Sequence, residues 1–174
     1  MIISISKIKE EVNLDGWTDA RIKRKLKAIE SVVRQYTNNN FQDRDYRRTA
    51  DIVGGLFSAE TLVPFETGDT VQISESKLNK GLFTIDEVED GTFTVEEEVK
   101  DERDVLVTKI IYPEDVIDCV INLMEWEVKH RQKVGIKSET LSRHSVTYED
   151  STQMFNGYPV GILNALNLYK KARF

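Results

Sequence analysis

The sequence predicts an α+β protein, mainly α: a helical bundle core with an inserted small antiparallel β module and a C-terminal arm ending in a helix. Three observations predict it. Apolar residues recur at helical spacing from Thr18 to Thr37 and again from Pro113 to Lys133. Between them, from Asp51 to Tyr112, short β-rich runs alternate with turn residues and show no helical period. A polar, strand-like stretch and one last apolar period close the chain. The expected organisation is a core of residues 1–60 and 113–135, a β module of 61–112, and an arm of 136–174.

The elements follow in order. Ser4 or Ser6 caps a short first helix that ends near Asn13, and Gly16 breaks it. Thr18 opens a long helix in which Ile22, Leu26, Ile29, Val33 and Tyr36 form one stripe, and Asn38, Asn39 and Asn40 end it. Strands are expected at Thr70–Ser74, Leu82–Val88, Thr92–Val95 and Val105–Tyr112, with Ala50–Val53 before them. The turns Gly54-Gly55, Gly68-Asp69, Asn79-Lys80-Gly81 and Asp90-Gly91 separate them.

Pro113 suits the first position of the next helix, and Glu114 and Asp115 suit its positive end. This helix is apolar on two sides. Ile117, Val120, Ile121, Met124 and Val128 make one face; Cys119, Leu123 and Trp126 point almost oppositely, with His130 continuing the row. Both sides call for cover, from the same chain or from a neighbouring one. Further on, His144-Ser145-Val146-Thr147-Tyr148 alternates like a strand. Tyr158-Pro159 then starts a helix in which Ile162, Ala165, Leu166 and Tyr169 share a face, ahead of Lys170, Lys171, Arg173 and Phe174.

With 40% hydrophobic and 31% charged residues among 174, the chain has the make-up of a folded domain. Cys119 is the single cysteine, so no intrachain disulfide can form. Signal-peptide and membrane-spanning patterns are lacking, so a membrane partner is not expected. Residues 61–112 carry 5 Lys and Arg against 13 Asp and Glu, a surface that repels a phosphate backbone. Lys23, Arg24, Lys27 and Arg34 gather on the polar side of the long helix; they read as a solvated face or, alternatively, as a phosphate-binding stripe.

The chemistry expected is none. His130 and His144 lack the spacing of a metal site or nucleophile triad, and Gly54-Gly55 precedes Leu56-Phe57 rather than a phosphate-binding lysine. Glu87, Glu89 and Asp90 crowd a hairpin for which a turn is sufficient explanation. No catalytic residue, metal or cofactor is expected.

Three stretches, taken in order, carry a likeness to a known family. They are Gly68-Asp69-Thr70-Val71-Gln72-Ile73 with Asn79-Lys80-Gly81-Leu82-Phe83-Thr84-Ile85; Tyr112-Pro113-Glu114-Asp115-Val116; and Gly135-Ile136-Lys137-Ser138-Glu139 with His144-Ser145-Val146-Thr147-Tyr148. In this order the chain resembles the head-tail connector, or adaptor, proteins of siphophages that infect Gram-positive bacteria. The resemblance implies a virion protein, assembled in the host cytoplasm, that forms a dodecameric homo-oligomeric ring beneath the portal protein. Such a ring extends the channel for packaged DNA, without reading its sequence, and offers a surface to the head-closure or stopper protein. The β segment departs from the nearly all-helical minimal members of that group.

Within this frame, Cys119, Leu123 and Trp126 are the expected intersubunit row. His144, Val146, Tyr148, Tyr169, Lys171, Arg173 and Phe174 are the expected portal-docking residues, because an extended run and a terminal helix follow an already complete core. Two other classes stay open: a prophage-encoded nucleic-acid-binding regulator or small interaction protein, and a hydrolase with an unrecognised cleft.

Overall fold

The computed structural model describes residues 1–59, 65–129, 138–141, 144–147 and 154–172. The chain forms two compact units, one of Met1 and Asn40–Tyr112, the other of Ile2–Asn39 and Pro113–Phe174.

The first unit is a closed antiparallel barrel of six strands: β1 (Gln42–Val53), β2 (Leu56–Ala59), β3 (Thr70–Ser74), β4 (Gly81–Glu89), β5 (Thr92–Val95) and β6 (Glu102–Ile110), ordered β1-β2-β5-β4-β3-β6. Closure follows because β6 pairs with both β3 and β1. The expected mainly helical bundle with a minor β module is therefore corrected: a barrel makes up one of the two units. The β unit also begins at Asn40, and β1 and β2 fall in a stretch assigned to the helical core. The reason lies in β1. Its first eight residues, Gln42 to Thr49, are all polar or aromatic-polar and none is fully buried, so alternation is readable only at Ala50–Val53. Register shifts against β6, between Gln42 and Arg47 and again between Ala50 and Ile52, blur the period further.

Alternate strand residues point inward and fill the barrel. Ala50, Ile52, Phe57, Phe65, Val71, Ile73, Ile85, Phe93, Val105 and Val107 form its core. Phe57 stacks on Phe93 at 4.6 Å, and Phe65 meets Phe93 edge-on at 5.2 Å. Two hairpins close on turns with consecutive positive φ, Gly54-Gly55 (60° and 84°) and Asp90-Gly91 (45° and 80°). That geometry matches the strand twist and explains the glycines. Pairing of Gln42 with Ile110 and of Ile52 with Glu102 places the chain's entrance and exit at one end of the barrel. The loops at 54–55, 75–80 and 96–101 lie at the other.

The second unit packs α1 (Ile5–Glu11), α2 (Asp19–Thr37) and α3 (Glu114–Lys129) with a short C-terminal segment. Ser4 and Thr18 cap the first two helices by accepting N–H bonds from Lys7 and Arg21, both at 3.3 Å. Ile22, Leu26, Ile29 and Val33 are fully buried, as are Val116, Val120, Leu123 and Met124. The C-terminal segment consists of a two-residue hairpin, β9 (Met154–Phe155) with β10 (Tyr158–Pro159), then α4 (Val160–Leu163) and a 3-10 turn (Asn164–Tyr169). Before it, β7 (Ser138–Leu141) pairs with β8 (His144–Thr147).

Candidate functional site

The two faces of α3 decide where a partner could bind. Its second row is covered from within the chain. Cys119 and Leu123 are buried, the Cys119 thiol reaches the Ile162 carbonyl oxygen at 3.6 Å, and Trp126 lies 5.7 Å from the Tyr158 ring. Within the chain, α4 and β10 thus cover part of the row expected between subunits. Trp126 alone stays half-buried.

The terminal residues are likewise held by their own unit. Tyr169 donates its hydroxyl to Asp115 at 2.7 Å, which lowers the Asp115 carboxyl and raises the Tyr169 phenol from their ordinary values. The Lys171 N–H bonds the Thr37 carbonyl at 2.8 Å. Asn38 donates to the carbonyls of Lys171 and Ala172, and Asn39 to that of Tyr169. The asparagines expected only to end α2 therefore clamp the C-terminal segment. Tyr169 and Lys171 form part of this closure rather than a detached arm. His144 lies in β8 and Val146 pairs with Glu139, while Tyr148, Arg173 and Phe174 lie outside the described residues.

The last helix also differs in period. In a 3-10 turn side chains three apart eclipse. Leu163 and Leu166 are accordingly buried with Tyr169 half-covered beneath them, while Ile162, Ala165 and Leu168 make the outer line and Leu168 is 89% exposed. Of the face expected from the sequence, Leu166 is buried, Ile162 and Tyr169 are half-buried and Ala165 is exposed.

Along that outer line runs a groove of about 450 Å³ between α3 and α4. Trp126, Ile162 and Ala165 supply its apolar side, and Asp118 and Glu125 its acidic wall on α3. Asp118 accepts from Asn122 at 3.2 Å, and Lys129 at the groove's edge donates to Glu125 at 2.7 Å.

Cys119 holds no reactive thiol. Burial, and then the nearby Asp118 charge, push its thiol up to about 11. At pH 8 the thiolate fraction is roughly a hundredfold below that of an ordinary cysteine. A disulfide-exchange reagent is expected to label the native chain at least that much more slowly than the urea-unfolded chain. Equal rates would place Cys119 in solvent.

In the barrel, a polar cluster sits at the loop joining β3 to β4. Glu102 accepts from the Ser76 hydroxyl at 2.6 Å, from the N–H groups of Lys77 at 2.6 Å and Leu78 at 3.2 Å, and from the Asn79 amide at 2.9 Å. Buried Asn79 also brackets Lys100, donating to its carbonyl and accepting from its N–H, both at 2.8 Å. Gly68-Asp69 is a second joint: Asp69 caps the Glu66 N–H at 2.8 Å and pairs with Lys109 at 2.6 Å.

The Glu102 bonds, that of Ser76 first, hold its carboxyl below the ordinary 4.5. A lowered folded-state value means that this stabilisation is complete above pH 4.5 and is lost as pH falls through the folded value. Urea midpoints measured at stepped pH should fall on acidification more steeply in the wild type than in Glu102→Gln. Parallel curves would count against the clasp.

Among the described residues no group of three or more His, Cys, Asp or Glu is placed to hold a metal ion, and no helix is long and apolar enough to cross a membrane. Of the basic stripe, Arg24 and Lys27 are exposed, whereas Lys23 and Arg34 are half-buried, so the four do not form one open face. No protein-family model matches the sequence, and no curated protein is significantly similar to it.

Proposed function

We propose that this chain is a non-catalytic structural subunit of a phage head-to-tail connector. It assembles as a dodecameric ring beneath the portal protein, extends the channel for packaged DNA, and presents a surface to the head-closure protein. The observation that carries the assembly reading is the filled barrel. Barrels that enclose a small molecule, such as lipocalins, keep an internal cavity, whereas here three phenylalanines and seven aliphatic residues occupy the interior. With the interior filled, the barrel's strand faces, rims and loops are the surfaces open to a partner, and assembly is the reading adopted for them.

The choice of a connector among assembly proteins is supported by the ordered likeness of residues 68–85, 112–116 and 135–148 to that family. The first of these stretches holds two joints that fix the barrel: Asp69 and Asn79 each bind several backbone or side-chain groups. The acidic balance of residues 61–112 suits a channel wall that must not hold DNA.

Mixing the full chain with purified portal rings tests the reading. Co-sedimentation and a ring seen under the portal by electron microscopy are expected, at a stoichiometry matching the portal. Failure to co-sediment would sink it. A gel shift on DNA that weakens steeply with salt, and with charge reversal of Arg24 and Lys27, would instead favour the nucleic-acid-binding alternative.

A further inference from the structure

The β3–β4 loop is held more firmly than a connection between paired strands requires. Glu102 fixes four of its donors, and Asn79 ties it to Lys100. At the tip Leu78 is 57% exposed, and the flanking Lys77 and Lys80 are exposed as well. A single exposed leucine is ordinary. One presented on a pinned backbone between two cations, at the barrel end opposite the chain's entrance and exit, has the form of a preorganised knob.

The same chain carries a matching socket. The α3–α4 groove has Trp126, Ile162 and Ala165 on its apolar side and the carboxylates of Asp118 and Glu125 on its wall. We infer that Leu78 of one copy seats in the α3–α4 groove of a second copy, with Lys77 and Lys80 against Asp118 and Glu125. Apolar tip meets apolar side, and cation meets carboxylate. Complementary charge favours this pairing and disfavours two knobs or two grooves meeting, where like charges would face each other.

Knob and groove are different patches, so the contact is heterologous. Every copy then has one of each to offer, as a head-to-tail ring requires, and the rotation per subunit decides between a closed ring and an open filament. The inference rests on the assembly reading above and names the contact that joins its subunits.

Sedimentation of the full chain over a concentration series, with no portal protein present, tests it. Concentration-dependent association is expected, weakened by about thirtyfold or more in Leu78→Asp, the loss of a buried interface anchor. Lys77→Glu with Lys80→Glu should weaken it comparably. Combination with Asp118→Lys and Glu125→Lys should restore it. Leu78→Asp and the groove-blocking Ala165→Arg should each be monomeric alone, yet form heterodimers that grow no further when mixed, because one good knob and one good groove remain. Circular dichroism confirms that each exposed-site variant is folded.

A wild-type chain that stays monomeric throughout overturns the inference, as does association indifferent to Leu78→Asp or a charge reversal that is not rescued. If Leu78→Asp loses only portal binding, the occupant is the portal and the second-copy contact is wrong. Leu78-dependent self-association without portal binding would refute the connector reading alone.

Discussion

Replacing Phe57 with alanine is expected to destabilise the barrel by about 4 kcal/mol, near the upper end for deletion of a buried aromatic ring. The ring is fully buried, lies 4.6 Å from Phe93 at an interplanar angle of 14°, and belongs to the strand pair in which Phe57 and Phe93 are direct partners. Its loss removes apolar burial, leaves a cavity beside Phe93, and takes away an aromatic pair that adds about 1 kcal/mol of its own. A closed barrel cannot collapse onto the space without shifting several registers at once. Phe57→Leu, which refills most of the volume, should cost roughly half as much or less. Urea unfolding followed by circular dichroism in the β region measures both. A loss under about 1 kcal/mol for the alanine variant would mean that the interior is not packed as described.

How much of this was legible in the sequence depends on where each element's partners lie. Helices α2 and α3 were legible because the α2 stripe, the Thr18 cap and the Pro113 start are local signals, although the buried face of α3 (Val116, Cys119, Val120, Leu123, Met124 and Glu127) falls between its two expected rows, leaving Ile117, Ile121 and Val128 half-buried. Strands Thr70–Ser74 and Thr92–Val95 were legible to the residue, since turn chemistry bounds them. The barrel as a whole was not. Its closure depends on β1, whose polar residues and register shifts give no period, and on β2, four residues long directly after a glycine pair.

The C-terminal segment misled for a different reason. Its 3-10 geometry changes which side chains share a face, and the residues that hold it, Asn38 and Asn39, lie more than a hundred positions earlier. Spacing alone cannot reveal such a clamp. Truncation at Val160 would consequently remove the Ile162 carbonyl that the Cys119 thiol reaches, so it disturbs the helical unit's core together with any docking surface. The groove and the Leu78 knob were likewise hidden, because each takes shape only when distant segments meet.

The second large effect is expected at the α2–α3 contact, where Lys25 pairs with Glu127. The Glu127 side chain is only 4% exposed and that of Lys25 25%, so the carboxylate is shielded from water and salt and the lysine in part. Removing the cation by Lys25→Met takes the ion pair from a carboxylate that burial keeps from full hydration. A loss of about 3 kcal/mol is expected, the usual scale for breaking one side of a buried pair. Removing both charges should cost much less, because the desolvation penalty disappears with the carboxylate. The double variant Lys25→Met with Glu127→Leu is therefore expected to recover most of the lost stability. The Lys129–Glu125 pair of the same helix serves as the internal control. Its side chains are 60% and 38% exposed, and Lys129→Met should change stability by no more than about 0.5 kcal/mol. Tryptophan fluorescence is a suitable probe for all four chains, since Trp17 and Trp126 both belong to the helical unit. If Lys25→Met and Lys129→Met shift the urea midpoint equally, the burial of Glu127 has no energetic consequence. If the double variant is no more stable than Lys25→Met alone, the cost lies in packing by the lysine stem rather than in the lost ion pair.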